Sequence, residues 1–198
     1  MDSKKSVLVV SAHAADFVWR AGGTIALYAQ RGYRVRILCL SYGERGESER
    51  LWKQPGMTLD CVKTSRRAES EKAAGILGAE IRFFDSGDYP LRASEETVHE
   101  MVLEYRKYQP EFILTHSFAD PHNFDHPDAT DLTLRTRVYA QAAGYPAWVF
   151  GLLMSANGVL STSRNVCPYT NMTPKPFGSL RITHLPPPGT SSGMFLTT

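Results

Sequence analysis

The stretch Ser6 to Thr24, SVLVVSAHAADFVWRAGGT, constrains the fold more than any other part of the chain. Val7, Leu8, Val9 and Val10 run without polar interruption, the pattern of a strand buried on both faces of a parallel sheet. His13 and Asp16 follow in the turn where such a strand hands over to a helix. In open α/β sheets, ligands bind in the crevice outside the carboxyl ends of the strands, so polar residues delivered there are candidates for chemistry. Helix capping is the plain alternative for this pair. Gly22 and Gly23 let the following backbone come close to that site.

Strand and helix patterns alternate through the next hundred residues. Gly22 to Gln30 reads as a helix closed by Gly32, and Tyr33 to Leu40 as a second strand, which implies a right-handed parallel crossover. Lys63 to Leu77 is a helix ended by Gly78, and Ile81 to Phe84 a short third strand. Glu95 to Tyr108 carries Val98, Met101, Val102 and Tyr105 at helical spacing, begins from a Ser94 cap and is stopped by Pro110. Glu111 to His116 is a fourth strand. The strand ends then present His13 with Asp16, Gly43 to Ser48, Asp85 with Asp88, and His116 on one rim.

Beyond Gly144 the character changes. Every acidic residue lies at or before Asp131, and Pro186 to Pro188 are consecutive in a stretch rich in serine, threonine and glycine. No segment there sustains a helix or strand period, so residues 145–198 are expected to form a loosely ordered tail behind a domain of residues 1–144. A frame change, an alternative ending or divergence would each give such a tail.

Composition excludes several classes of partner. A net charge of +2 is too small to argue for nucleic acid or an anionic membrane. Lys4 and Lys5 lead straight into a short strand, not into the apolar core of a secretory signal, and the run from Ala147 to Met154 falls far below the roughly 20 residues that span a bilayer. Cys39, Cys61 and Cys167 are widely spaced and read as reduced cytosolic thiols. The expectation is a cytoplasmic protein with neither nucleic acid nor membrane as a partner; a homo-oligomer stays open.

Two clusters carry the chemistry. His13 and Asp16 stand three apart, close enough in a turn to meet one divalent ion. Asp120 to Asp128, DPHNFDHPD, supplies His122 and His126 on what reads as a loop bracketed by Pro121 and Pro127. Two nitrogens and one oxygen from separate strand ends would leave coordination positions open for water and substrate, as in a catalytic site. A solvated loop histidine is the plain alternative, more so for His122 than for His126. Between the clusters, GERGES offers Glu44 and Glu47 as carboxylates able to orient water and accept its proton, and Arg45 as a fork for substrate carboxylates. An ordinary charged turn is the alternative there.

In order and spacing, AHAADFVWRAGGT, LSYGERGES, RRAESEKAAGILGA, FFDSGDYPL and HSFADPHNFDHPDA resemble the LmbE-like or PIG-L superfamily of metal-dependent N-acetylglucosaminyl deacetylases. Their signature runs A-H-P-D-D-E, a glycine pair, G-E-x-G and H-P-D-H. The resemblance covers about residues 5 to 144. It implies a Rossmann-like α/β fold, a parallel sheet with helices on both faces, and a zinc ion or another divalent transition metal at the rim, with His13 and Asp16 as ligands. The last histidine of H-P-D-H is replaced by Ala129, so His126 is taken as third ligand, with His122 or His116 as alternatives.

Departures from the signature redirect the function. Ala15 stands where the deacetylases carry their general-base aspartate, and Phe17 where a glutamate follows. AHAADFVWRAGG with GERGES looks instead like the 4-oxalomesaconate hydratase branch of the superfamily. That likeness implies a hydro-lyase acting on a small anionic polycarboxylate in aromatic-compound catabolism, with Glu47, ahead of Glu44, positioning the water. Arg20, Arg45 and His122 are the expected substrate contacts. The branch continues with F-E-P-H-Q, whose histidine is the implied acid, and no such sequence occurs after Gly144. A deacetylase with a replaced base and a catalytically dead binding relative are the other two readings.

Overall fold

The computed structural model describes residues 5–145, 181–183 and 194–197. The apolar opening run forms β1 (Ser6–Ser11), every residue of it buried. Alternate side chains feed two different cores. Leu8 and Val10 pack with Met101, Val102, Tyr105 and Leu132 on one face, while Val7 and Val9 pack with Phe17, Ile25, Ile37 and Ala74 on the other. That double burial is why the run carries no polar residue.

β1 is followed by α1 (Asp16–Gln30), β2 (Arg34–Cys39), the one-turn α2 (Glu49–Trp52), α3 (Leu59–Ile76), β3 (Glu80–Phe83), α4 (Glu95–Tyr108), β4 (Phe112–Thr115) and α5 (Asp125–Gln141). Four parallel strands lie in the order β3-β2-β1-β4, with Val9 opposite both Ile37 and Leu114. Helices α1 and α3 cover one face, α4 and α5 the other. The chain steps outward from β1 to β2 and β3, then returns to the opposite side of β1. The crevice between the ends of β1 and β4 is thus a topological switch point.

β5 (Arg181–Thr183) and β6 (Met194–Thr197) extend the sheet beyond β4, with β6 antiparallel to it. Here the structure departs from a tail without strand pattern: strands this short carry too few residues to register a period. The remainder of the tail expected to be loosely ordered, residues 146–180, 184–193 and 198, lies outside the described residues.

Three helices differ from their expected extents. α1 begins at Asp16 and not at Gly22, because Phe17 of its first turn already packs in the core and Gly22 lies mid-helix, where an added Cβ would meet Leu77 at 3.9 Å. α3 begins at Leu59, where the Thr58 hydroxyl accepts the Cys61 N–H at 3.3 Å. The segment read as a loop from Asp120 to Asp128 becomes helical at Asp125. Pro127 sits in the first turn of α5, where an N–H has no intrahelical partner to lose, so it starts this helix and does not break it. The range of α4 is as expected, and Ser94 Oγ accepts the Thr97 N–H at 3.1 Å.

Ile37 is fully buried at the centre of one core. Ile37→Ala is expected to remove about 2–5 kcal/mol, and Ser94→Ala, which strips one exposed cap, only about 1 kcal/mol. Denaturant titrations of the two variants, compared at unchanged m-value, check the ratio.

Candidate metal centre

The ends of β1 and β4 and the start of α5 deliver their polar side chains into the crevice at the switch point. The metal-ligating atoms of His13, Asp16 and His126 lie within 4.8 Å of one another, and all three residues are buried. His13 and Asp16 come from the turn after β1, and His126 from the first turn of α5. The nitrogens of the two histidines are anchored by carboxylates. His13 Nε2 is 3.0 Å from Asp125 Oδ2, and His126 Nδ1 is 2.7 Å from Asp120 Oδ2. A carboxylate can only accept, so the proton of a neutral His126 sits on Nδ1, whereas both nitrogens of His13 face carboxylates, Nδ1 meeting Asp16 Oδ2 at the same 3.0 Å.

The opposite nitrogen of His126 therefore presents a lone pair. His13 Nδ1 is 3.0 Å and His126 Nε2 3.3 Å from the same oxygen, Asp16 Oδ2. His126 Nε2 is buried without a hydrogen-bond partner among the described residues. An imidazole lone pair facing a buried carboxylate oxygen repels it unless a positive charge stands beside them. In the bare protein a proton supplies it. Burial works to lower the His13 pKa, yet Asp16 and Asp125 outweigh it and raise it to about 9. Burial pushes Asp16 upward, and the three histidines around it reverse this, holding its carboxyl well below the usual range. A divalent cation satisfies the same three atoms at once, so the donor set fits a metal.

His116 packs against this cluster without joining it. Its ring stacks on His126 with centroids 4.1 Å apart, but its Nε2 accepts the Ala12 N–H at 2.9 Å, which uses the lone pair a metal would need. Burial is the main reason its pKa falls to about 3, so it stays neutral. His122 is exposed, and its own N–H is turned to Asp120 Oδ1. Ala129 lies in the core a turn beyond His126. Of the three histidines weighed as third ligand, His126 is the one the fold brings to His13 and Asp16.

The GERGES loop divides its two glutamates. Glu47 Oε2 accepts the Ala15 N–H at 3.1 Å and an Arg66 N–H at 3.0 Å. Burial, then the Asp16 charge, push its pKa above the ordinary value despite those two donors. Glu44 is buried, accepts the Tyr42 N–H at 3.2 Å and lies in the fields of Asp88 and Lys63. Among the described residues it makes no hydrogen bond to the three clustered ligands. Asp88 fixes the loop by accepting the N–H groups of Arg45 and Gly46. The Arg45 guanidinium is itself turned to the carbonyls of Asp88 and Tyr89. Arg20 stands at the mouth, 3.5 Å from Asp16 and 3.6 Å from Asp120.

Asp120, Asp125, Arg66 and Tyr89 escaped the sequence reading. Asp125 also accepts the N–H groups of Tyr89 and Leu91, at 2.8 and 2.9 Å, and so ties the β3–α4 loop to His13. The spacing of aspartates around His122 and His126 carries this signal, since a ligating histidine needs a carboxylate for its second nitrogen.

A parallel α/β sheet with a His–Asp–His cluster at its switch point defines a Rossmann-like protein with a candidate metal centre. More narrowly, residues 8–136 match the PIG-L family, described as GlcNAc-PI de-N-acetylase, and the chain belongs to that family. It is 56% identical over 142 residues to a 4-oxalmesaconate hydratase of Pseudomonas putida, covering 72% of this chain and 55% of that protein. The crystal structure of GalB, the 4-carboxy-2-hydroxymuconate hydratase of P. putida KT2440, superposes with a TM-score of 0.69 at 57% identity, covering 71% of this chain and 59% of the other. A 1D-myo-inositol 2-acetamido-2-deoxy-alpha-D-glucopyranoside deacetylase of Saccharomonospora viridis is 29% identical over 144 residues, 62% of this chain and 53% of that protein. The chain thus spans about half the length of the curated relatives it matches. No described helix is long and apolar enough to cross a membrane.

Two outcomes follow from the cluster. Asp120→Ala frees the His126 ring and is expected to weaken zinc binding by roughly 10–100-fold, while His122→Ala leaves it unchanged; competition against a chromophoric chelator reads both. In metal-free protein, His13 titrates at about 9 when folded against 6.5 unfolded. Its contribution to stability is therefore complete below pH 6.5 and is lost as pH rises through 9. Thermal melts in chelator at pH 6 and pH 9 should show that loss, and His13→Gln should flatten it.

Proposed function

We propose that this chain is a metal-dependent hydratase, a cytoplasmic hydro-lyase that adds water across a carbon–carbon double bond of an unsaturated tricarboxylate. 4-Carboxy-2-hydroxymuconate, the enol of 4-oxalomesaconate, is the substrate favoured by the likeness to the P. putida proteins. One observation carries the reading. At position 15, where the resemblance places a deacetylase base, there is an alanine, and the Glu47 carboxylate reaches the N–H of that same residue from another strand end. The base needed for an amide substrate is missing from its own loop, and a different carboxylate serves the neighbourhood.

His13, Asp16 and His126 would hold the cation, and two nitrogens with one oxygen suit zinc. When bound, the ion lowers the pKa of water toward neutrality and offsets negative charge on the substrate. Glu47 holds the attacking water and takes its proton, its pKa raised above the ordinary carboxylate value by burial and the Asp16 charge. The neighbouring carbon gains a proton in turn, so the net change is one water added. Arg20 exchanges its long contacts to Asp16 and Asp120 for a substrate carboxylate, and the exposed Arg45 and His122 add positive or polar character outside it. Glu44, beside Asp88, supports the loop that carries Glu47.

The test is direct. Zinc-loaded protein should bleach the conjugated chromophore of 4-carboxy-2-hydroxymuconate, and Glu47→Gln should slow this by roughly 100-fold or more with zinc content unchanged. Acetate release from N-acetylglucosamine derivatives without bleaching would overturn the proposal in favour of a deacetylase. Substrate binding without either reaction would leave a dead binding relative.

A further inference from the structure

Tyr89 takes no part in the ligand cluster or in the proton transfer, yet its position is determined on every side. Its ring lies nearly parallel to the His13 imidazole, at 14° with centroids 5.7 Å apart, and is 50% exposed. It therefore roofs the histidine while offering a free face to the mouth of the crevice. Gly46 admits the ring: a Cβ at 46 would stand 2.1 Å from Tyr89 Cε2, so any side chain there would displace the ring from this position. The Tyr89 N–H is held by Asp125 Oδ2, the oxygen that also faces His13 Nε2. Its φ of 47° is a left-handed conformation that an aromatic residue adopts only when its surroundings enforce it.

The hydroxyl is oriented as well. Asn123 Oδ1 accepts the Asp125 N–H at 3.0 Å, which fixes the amide with its Nδ2 toward Tyr89. Nδ2 then donates to the phenol oxygen at 3.0 Å. An amide N–H can only donate, so the phenol is the acceptor in this pair, and among the described residues its own hydrogen has no acceptor. The site thus presents an O–H donor at its rim, on a ring held over one of the clustered histidines.

We propose that Tyr89 is a specificity-determining residue that donates this hydrogen bond to a carboxylate of the substrate, with the ring forming the wall against which the flat conjugated part lies. The assignment rests on the hydratase reading and extends it from the reacting bond to the anionic end of the molecule. A hydrogen bond to a charged oxygen is the strong kind, and an amide that polarises the phenol strengthens it further.

The experiment uses the full chain loaded with zinc and trans-aconitate, a stable unsaturated tricarboxylate, followed by titration calorimetry. Tyr89→Phe keeps the ring, the stacking and the backbone, and is expected to weaken trans-aconitate binding by about tenfold or more with zinc affinity and melting temperature unchanged. Asn123→Asp keeps the acceptor for Asp125 but turns the other atom into an acceptor, drawing the phenol hydrogen inward. It should weaken binding more in the wild-type background than in the Tyr89→Phe background, where only its added charge acts. Equal binding by wild type and Tyr89→Phe overturns the assignment and leaves the hydratase reading standing. Failure of the wild-type protein itself to bind trans-aconitate overturns that reading and the assignment with it.

Discussion

Asp16 Oδ2 is the atom around which this site is balanced. It accepts the backbone N–H of His13 at 2.9 Å and is faced by imidazole nitrogens of His13, His126 and, at 3.6 Å, His116. His126 has its proton drawn to Asp120 on the far side, His13 is held between Asp16 and Asp125, and His116 has its lone pair engaged by Ala12. A buried carboxylate among lone pairs is unstable in a medium of low polarity unless one positive charge is added. The three residues are therefore placed so that a proton on His13 or a divalent cation would supply that charge.

Sheet topology brings this about from segments far apart in the chain. β1 and β4 are neighbours only because the crossover returns to the opposite side of β1 after β3. His13 at the end of one strand and His116 at the end of the other are then forced into one crevice, and α5 starts where that crevice opens. The Asp125 carboxylate reaches His13 and, on the same side, the backbone of Tyr89 and Leu91. One side chain joins three strand ends, so metal affinity, loop position and the roof over His13 share a single anchor.

Strands and the His13–Asp16 pair were legible because their signals are local: an apolar run sets double burial, and a polar pair at its end sets a site. The range of α4 was legible for the same reason, with a Ser94 cap at one end and Pro110 past the other. What escaped was context. Gly22 and Gly23 drew the start of α1 too late, since glycine reads as a turn, whereas both lie inside α1 where a Cβ would meet at most ordinary contact. Pro127 read as a breaker, although a proline in the first turn has nothing to break. α5 also carries buried threonines where an apolar stripe was the signal sought. Thr130 and Thr133 are satisfied by the carbonyls of His126 and Ala129 in the preceding turn, so they enter the core as nearly apolar surface. Asp120 and Asp125 could be seen only as neighbours of histidines, because which ring nitrogen each one holds is a fact of three dimensions.

The distribution of charge bears on what such a site can accept. Asp16, Glu47, Asp120 and Asp125 place four carboxyl groups around the crevice, countered mainly by Arg20 at the mouth and Arg66 behind Glu47. Without a cation this surface repels a polycarboxylate, and burial makes the repulsion stronger than it would be in water. With a divalent ion the balance reverses at the centre while the rim stays mixed. On the proposed function, binding of an anionic substrate would be linked to metal occupancy, each strengthening the other by the same factor. One cation would then both balance its own ligands and admit the substrate, and the carboxylates of Asp125 and Asp120 that orient His13 and His126 would serve both purposes.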